Sequence, residues 1–346
     1  MTQTPPKELR RGWTTGACAT AAVQAALRGL WEGHTPASVQ ITLPRGETPV
    51  FKIAESVVGD GWAEAAVIKD AGDDPDVTHG ALIRARVEPS GGGVIFAGGQ
   101  GIGRVTKPGL PVAVGEPAIN PVPRQMMTAV VTDTAARLGE AADIKITLSV
   151  PNGTQLAEKT WNPRLGILGG LSILGTTGIV RPFSCAAWIA SIHRGVDVAR
   201  AEGLRHVAGC TGATSERAVQ SLYGLPDQAM LDMGDFVGGM LKYIARHPVE
   251  RVTIGGGIGK LTKLAQGARD LHSKRSQVDL KALSEDLDQP FIQNMNSALE
   301  VYENIGDILS GWVAVNARSA AAKMVPAEVA IDVVVIDRAG KIIGRA

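Results

Sequence analysis

Positions 17–30 are almost wholly apolar and rich in alanine, with Val23, Leu27 and Leu30 spaced for one face of a helix. Thr14 and Thr15 supply hydroxyls for its start, and Gly29 and Gly33 mark its end. Apolar and polar residues then alternate in short segments, 38–43, 50–57, 62–69, 81–87 and 94–97. The separators Pro44-Arg45-Gly46, Gly59-Asp60-Gly61 and Ser90-Gly91-Gly92-Gly93 are turn-forming. Strands joined by turns, without helices between them, predict an antiparallel sheet. A helix over 122–138 and a strand over 144–150 complete an α+β first domain, residues 1–160.

From residue 161 the rhythm changes to helices alternating with short apolar strands. Helices are predicted over 184–202, 213–223 and 235–246, and strands over 206–209, 228–232 and 251–254. Cys210-Thr211-Gly212 and Gly255-Gly256-Gly257 are expected as turns. Residues 279–309 read as mostly helical, followed by a helix over 314–324 and a hairpin of 329–336 and 341–343. This is the pattern of a mostly parallel doubly wound sheet, so 161–346 is expected to be a Rossmann-like α/β domain. The domain that the 329–346 hairpin joins is left open.

Length and composition bound the function. The 346 residues suit about two domains. Lys and Arg number 35 against 34 Asp and Glu, so no global field recruits nucleic acid or an anionic membrane, and an acidic ligand needs local cations. The 42 glycines exceed the typical ~7% and suggest backbone that closely approaches a ligand. Three cysteines in no metal-ligand spacing predict neither a disulfide framework nor a metal site, and suit a reducing, cytoplasmic setting. Residues 1–11 are polar, unlike a signal peptide, and the longest uncharged apolar stretch, 165–180, is too short and too glycine-broken to span a membrane.

Two strand ends in the second half run into glycines and then a helix, an arrangement suited to polar or anionic ligands. Gly209, Thr211 and Gly212 lie at the first, and Gly255, Gly256 and Gly257 at the second. Asp232, about 20 residues beyond the first turn, ends the next strand, where an acid takes ribose hydroxyls. Neither turn is a clean GxGxxG and no GxxxxGK[ST] occurs, so a nucleoside without pyrophosphate, S-adenosylmethionine, fits better than NAD. The alternative is that these glycines only make tight turns.

Four loops are dense in special residues. Thr14 and Thr15 stand at a helix start, as ligand groups or as caps. Asp70, Asp73, Asp74, Asp76 and His79 crowd one loop, which suits proton transfer or an exposed turn of capping carboxylates. Gly101, Gly103, Arg104 and Lys107, then Asn120 and Arg124, combine adaptable backbone with cations fit for carboxylates, or form a solvated hairpin. Arg164, Thr176, Thr177 and Arg181 flank an apolar run so broken by glycine that a ligand-lining loop is favoured over a buried crossover.

With Gly12-Trp13-Thr14-Thr15-Gly16, the 69–80 loop, Gly101-Ile102-Gly103-Arg104-Val105-Thr106, Asn120-Pro121-Val122-Pro123-Arg124 and the 162–181 segment, the chain resembles the CbiD family along essentially its whole length. The resemblance implies an enzyme that transfers a methyl group from S-adenosylmethionine to C1 of cobalt-precorrin-5B in cobalamin biosynthesis. The methyl acceptor would be a ring fringed with carboxylates, giving Arg104, Lys107, Arg124, Arg164 and Arg181 a purpose; cobalt would belong to the substrate. Asp74 and His79 are the candidates for proton transfer. Competing readings are a tetrapyrrole carrier without catalysis and an NAD(P)-dependent oxidoreductase. The acceptor is expected to sit on 1–160 and the donor on 161–346, and a homodimer is left open.

Overall fold

The alanine-rich run forms the helix Thr15–Glu32, and small side chains are what allow it to bury nearly its whole circumference. Thr14 caps it by accepting from the Ala17 amide at 3.2 Å, and Gly33 ends it in the left-handed conformation. A computed structural model describes residues 8–346. The described chain is mixed α/β, and it divides into one unit ending at Ser184 and another running from Cys185 to Ala346.

In the first unit a five-stranded sheet runs in the order Glu55–Gly59, Trp62–Ile68, Leu82–Pro89, Ile144–Ser149 and Ile95–Gly98. Ala63, Ala65, Val67, Ile83, Ala85, Val87, Ile146 and Leu148 alternate onto the face covered by the Thr15–Glu32 helix. That helix packs in turn on the helix Pro121–Leu138. The opposite face carries ion pairs, Arg84 with Glu55 and Glu64 and Lys145 with Glu88, as a solvated sheet face should. The antiparallel expectation holds for all but one pairing. Ile95–Gly98 runs parallel to Ile144–Ser149, because the Pro121–Leu138 helix intervenes and returns the chain in the same direction.

Residues 161–184, expected from the sequence to open the second domain, are knitted into the first unit. Ile167–Leu168 pairs with Arg104–Val105, and Ile179–Val180 pairs with Gly12–Trp13.

In the second unit the strand order is Met230–Leu231, His206–Cys210, Arg251–Gly257, Ala330–Ile336 and Ile342–Arg345, with the first four parallel and the last antiparallel. Val207, Val252, Ile254, Val333 and Val335 face one helical layer, which includes Cys185–Ala201, Val237–Ile244, Ile258–Ala265 and Asp307–Ala322. Ala208, Cys210, Val334 and Ile336 face the helix Ala213–Tyr223 on the other side. Strands buried on both faces explain their near-continuous apolar sequence. The closing hairpin completes this sheet.

Three expectations change here. Gly255–Gly257 are not a turn but the end of the extended strand Arg251–Gly257, since pairing with Val334, Val335 and Ile336 continues along them. The strand expected over 228–232 contracts to Met230–Leu231 after a short 3-10 turn, Asp227–Ala229. The 314–324 helix is the second half of the continuous helix Asp307–Ala322.

Candidate functional site

In the second unit the first strand, His206–Cys210, lies between the second and third, so the order reverses at its side, and ligands of open α/β sheets bind at such a reversal beyond the strand ends. Three strand ends are tied together there. The Thr211 amide donates to the Gly255 carbonyl at 2.9 Å, and the Gly234 amide to the Cys210 carbonyl at 3.0 Å. Lys260 Nζ donates to the Thr211 carbonyl at 3.1 Å and lies 2.9 Å from Asp235 Oδ1. Asp232 sits at the end of the second strand, and its backbone carbonyl accepts from Trp188 Nε1 at 2.8 Å.

The glycines here divide by the space beside them. A Cβ on Gly209 would meet Met240 Sδ at 2.4 Å, one on Gly255 would meet Val219 at 2.6 Å, and one on Gly256 would meet Thr211 at 2.9 Å. These three permit close packing of strand against helix. Gly212 and Gly257 face open space, and each precedes a helix without a side-chain cap, leaving backbone N–H groups of the first turn for a ligand.

The first unit brings its four singled-out loops together in two groups. In one, Thr15 Oγ1 accepts from the Leu174 amide at 2.9 Å, and Gly175 packs directly on Thr14. Both threonines are buried, so they pin the glycine-rich segment to the helix start. Thr177 bonds locally to Ile179, while Thr176 and Arg181 are exposed. In the other group, the Leu171 amide donates to the Gly101 carbonyl and the Gly103 amide to the Leu171 carbonyl, both at 2.8 Å. A Cβ on Gly101 would collide with the Val150 carbonyl and one on Gly103 with Ile167, so both glycines serve this interlock.

The cations around it differ in how they are engaged. Arg124 donates from Nε to the Ile119 carbonyl at 2.8 Å and from its terminal nitrogen to Glu116 at 3.2 Å, anchoring the segment that leads to Asn120 and its helix. Arg164 lies over the Trp161 ring at 4.6 Å, and the Lys107 stem covers Gly166. Arg104 is exposed and donates to the Gly115 carbonyl.

Every carboxylate of the 69–80 loop has a partner. Asp70 pairs with Arg10 and accepts from the Gly72 amide at 2.9 Å. The Arg10 hydrogen bond above all holds its carboxyl below the usual range. Asp73 accepts from the Arg10 amide and Asp74 from the Phe183 amide, each at 2.8 Å. Asp76 accepts from Thr78 and from Lys69 Nζ at 2.6 Å, and Lys69 is only 1% exposed. Burial pushes Asp76 up, but Lys69 and Thr78 outweigh it and its pKa is lowered. His79 Nδ1 accepts from the Ala71 amide at 3.1 Å, which commits its lone pair and places any proton of the neutral ring on Nε2. Cys18, pushed up to about 12 mainly by burial, is a core residue of its helix rather than a nucleophile. Among the described residues no His, Cys, Asp and Glu cluster has the arrangement of a metal site, and no helix is long and apolar enough to cross a membrane.

The CbiD family model matches residues 2–182, more than half of the chain. The chain belongs to the CbiD family. It is 57% identical to the cobalt-precorrin-5B C(1)-methyltransferase of Brucella anthropi, covering 98% of this chain and 96% of that one. The enzymes of the same name from Brucella canis and Brucella abortus are 56% identical over the same shares. A crystal structure of the cobalamin biosynthesis protein cbiD from Archaeoglobus fulgidus is 28% identical, covering 77% of this chain and 83% of that one, with a TM-score of 0.43.

Several residues that shape these sites carry no signal of their own in the sequence. Asp235 and Arg10 stand in ordinary contexts, and only folding brings them to Lys260 and Asp70. Lys260 follows the Gly255-Gly256-Gly257 run, which draws attention to it without revealing its two partners. Trp188, in the helix Cys185–Ala201, is a large aromatic outside the buried positions Ile192, Val196, Val198 and Ala199.

Proposed function

We propose that this chain is a cobalt-precorrin-5B C(1)-methyltransferase that uses S-adenosylmethionine, with the donor on a Rossmann-like second domain and the tetrapyrrole acceptor on the first. The observation that carries the reading is identity of 57% along nearly the full length of both chains. The donor fits the residues present: Gly212 and Gly257 leave open backbone at two strand ends, and Asp232 stands at the end of the strand between them in chain order. Asp232 would take the ribose hydroxyls, and the uncapped helix starts after Gly212 and Gly257 would take the polar methionine end. Bound there, S-adenosylmethionine would supply a methyl group on a sulfonium, ready for in-line displacement.

The protein's task is then chiefly alignment, since holding reactants at attack distance accounts for much of the barrier in such transfers. Lys260 contributes by tying the Thr211 and Asp235 loops to its own helix. On the acceptor side, Arg104 and Arg181 are the exposed cations available for ring carboxylates, with Lys107 and Arg164 beside the same glycine-rich segment. If a proton must leave the ring, Asp74 is the better base, because the His79 lone pair is engaged by the Ala71 amide.

Calorimetry with S-adenosylhomocysteine tests the donor. Saturable binding is expected, and no heat at millimolar ligand would overturn the reading. A carrier would bind the corrin precursor alone, and an oxidoreductase would bind NADH instead.

A further inference from the structure

We infer that the indole of Trp188 is the wall against which the adenine ring of the methyl donor lies. The inference rests on the nucleoside reading of the second unit and adds to it the recognition of the base. Trp188 alone among the six tryptophans of the chain is exposed, with 46% of its surface open. A large aromatic left open in a chain with only 4% aromatic residues calls for a partner, because burying such a ring is among the larger gains available to a side chain.

Its place narrows the partner. The Nε1–H donates to the Asp232 carbonyl at 2.8 Å, so the indole is fixed to the residue expected to take the ribose. Gly234, in the left-handed conformation at φ 55°, keeps the next stretch of backbone bare, and a Cβ there would lie 3.6 Å from the indole. Phe236 buttresses the ring from further along, its centroid 6.3 Å away and tilted by 52°. The indole is thus held by the chain that leaves the second strand and cannot swing freely. A rigid flat π surface next to an acid complements the two halves of a nucleoside, the base and the ribose diol. A purely anionic ligand without a base would not need it, and the other polar groups at these strand ends, Asp232, Asp235 and Lys260, cannot stack on a base.

The test compares wild type, Trp188→Phe and Trp188→Ala by calorimetry with S-adenosylhomocysteine and with adenosine, and by tryptophan emission during the same titrations. Trp188→Ala is expected to weaken both ligands by about tenfold or more, the usual effect of losing one base-stacking aromatic. Trp188→Phe, which keeps a stacking ring, should stay within about threefold of wild type. Wild-type emission should change on saturation, and that change should vanish in Trp188→Phe. Equal affinities of wild type and Trp188→Ala overturn the inference while leaving the donor site standing; so does Trp188→Phe as weak as Trp188→Ala. Absence of binding to wild type removes the nucleoside reading itself. Should Trp188→Ala fail to fold, the emission change decides: one that persists in Trp188→Phe arises elsewhere and overturns the inference.

Discussion

A single carboxylate organises the edge of the second unit opposite the strand ends that lead to Gly212 and Gly257. Asp332 Oδ2 accepts from Arg251 Nε at 2.7 Å, Thr253 Oγ1 at 2.9 Å and Tyr223 OH at 3.0 Å. Because the Thr253 hydroxyl gives its one proton to Asp332, His206 Nε2, 2.8 Å away, must donate to it. Burial pushes the Asp332 carboxyl up, but the bonds from Arg251, Thr253 and Tyr223 together outweigh burial and lower its pKa. A carboxylate whose folded pKa is depressed contributes stability above its unfolded value, about 3.9, and that contribution is lost as pH falls through the folded value. Thermal melts of wild type should therefore lose stability below about pH 4, whereas Asp332→Asn should be less stable at pH 7 by about 1–3 kcal/mol and show a shallower acid loss. An acid limb as steep in Asp332→Asn as in wild type would place the titrating group elsewhere. None of this is visible in the sequence, where Asp332 is one polar residue in an apolar strand. The acidic loop is the opposite case: its charges stand out, yet only the fold shows that Arg10, Lys69, Thr78 and backbone amides hold the carboxylates one by one.

At the scale of elements, the sequence located the helices Thr15–Glu32, Pro121–Leu138 and Ala213–Tyr223 closely, because each runs unbroken and ends at a glycine that takes the left-handed conformation. The strand Arg251–Gly257 was only half legible, since glycine favours turns and nothing local reveals a neighbouring strand that keeps three glycines extended. The same glycines show why a motif is not a site. Gly255 has no room for a Cβ beside Val219 and Cys210, whereas Gly257, at φ −73°, has room and a conformation that alanine adopts readily. Gly255→Ala should lower the melting temperature and affect donor binding only through loss of folded protein. Gly257→Ala should fold normally and weaken S-adenosylhomocysteine in calorimetry, because a methyl group would stand over the open helix start. Equal melting temperatures for the two variants would contradict the packing assigned to Gly255.

For the molecule as a whole, a net charge of +1 leaves an acidic ligand to local cations, and the sequence changes rhythm once along its length. What the rhythm could not supply was long-range pairing. Strand Ile179–Val180 belongs with Gly12–Trp13, far away in sequence, so the 161–184 segment falls in the first unit. The folded first unit also sorts the cations singled out for the acceptor by their partners. Arg124 is committed to the Ile119 and Pro117 carbonyls and to Glu116, and its loss leaves backbone acceptors unsatisfied. Arg104 stands exposed with a single carbonyl partner, so its guanidinium can turn to a carboxylate at little cost. Arg104→Ala should therefore weaken binding of a carboxylate-bearing cobalt corrinoid by about 1–3 kcal/mol, with the melting temperature and S-adenosylhomocysteine affinity unchanged. Arg124→Ala should lower the melting temperature, and its effect on the corrinoid should disappear once the folded fraction is taken into account. If Arg104→Ala weakens donor and acceptor equally, the acceptor carboxylates are not held by the first unit, and the division of the two substrates between the units is wrong.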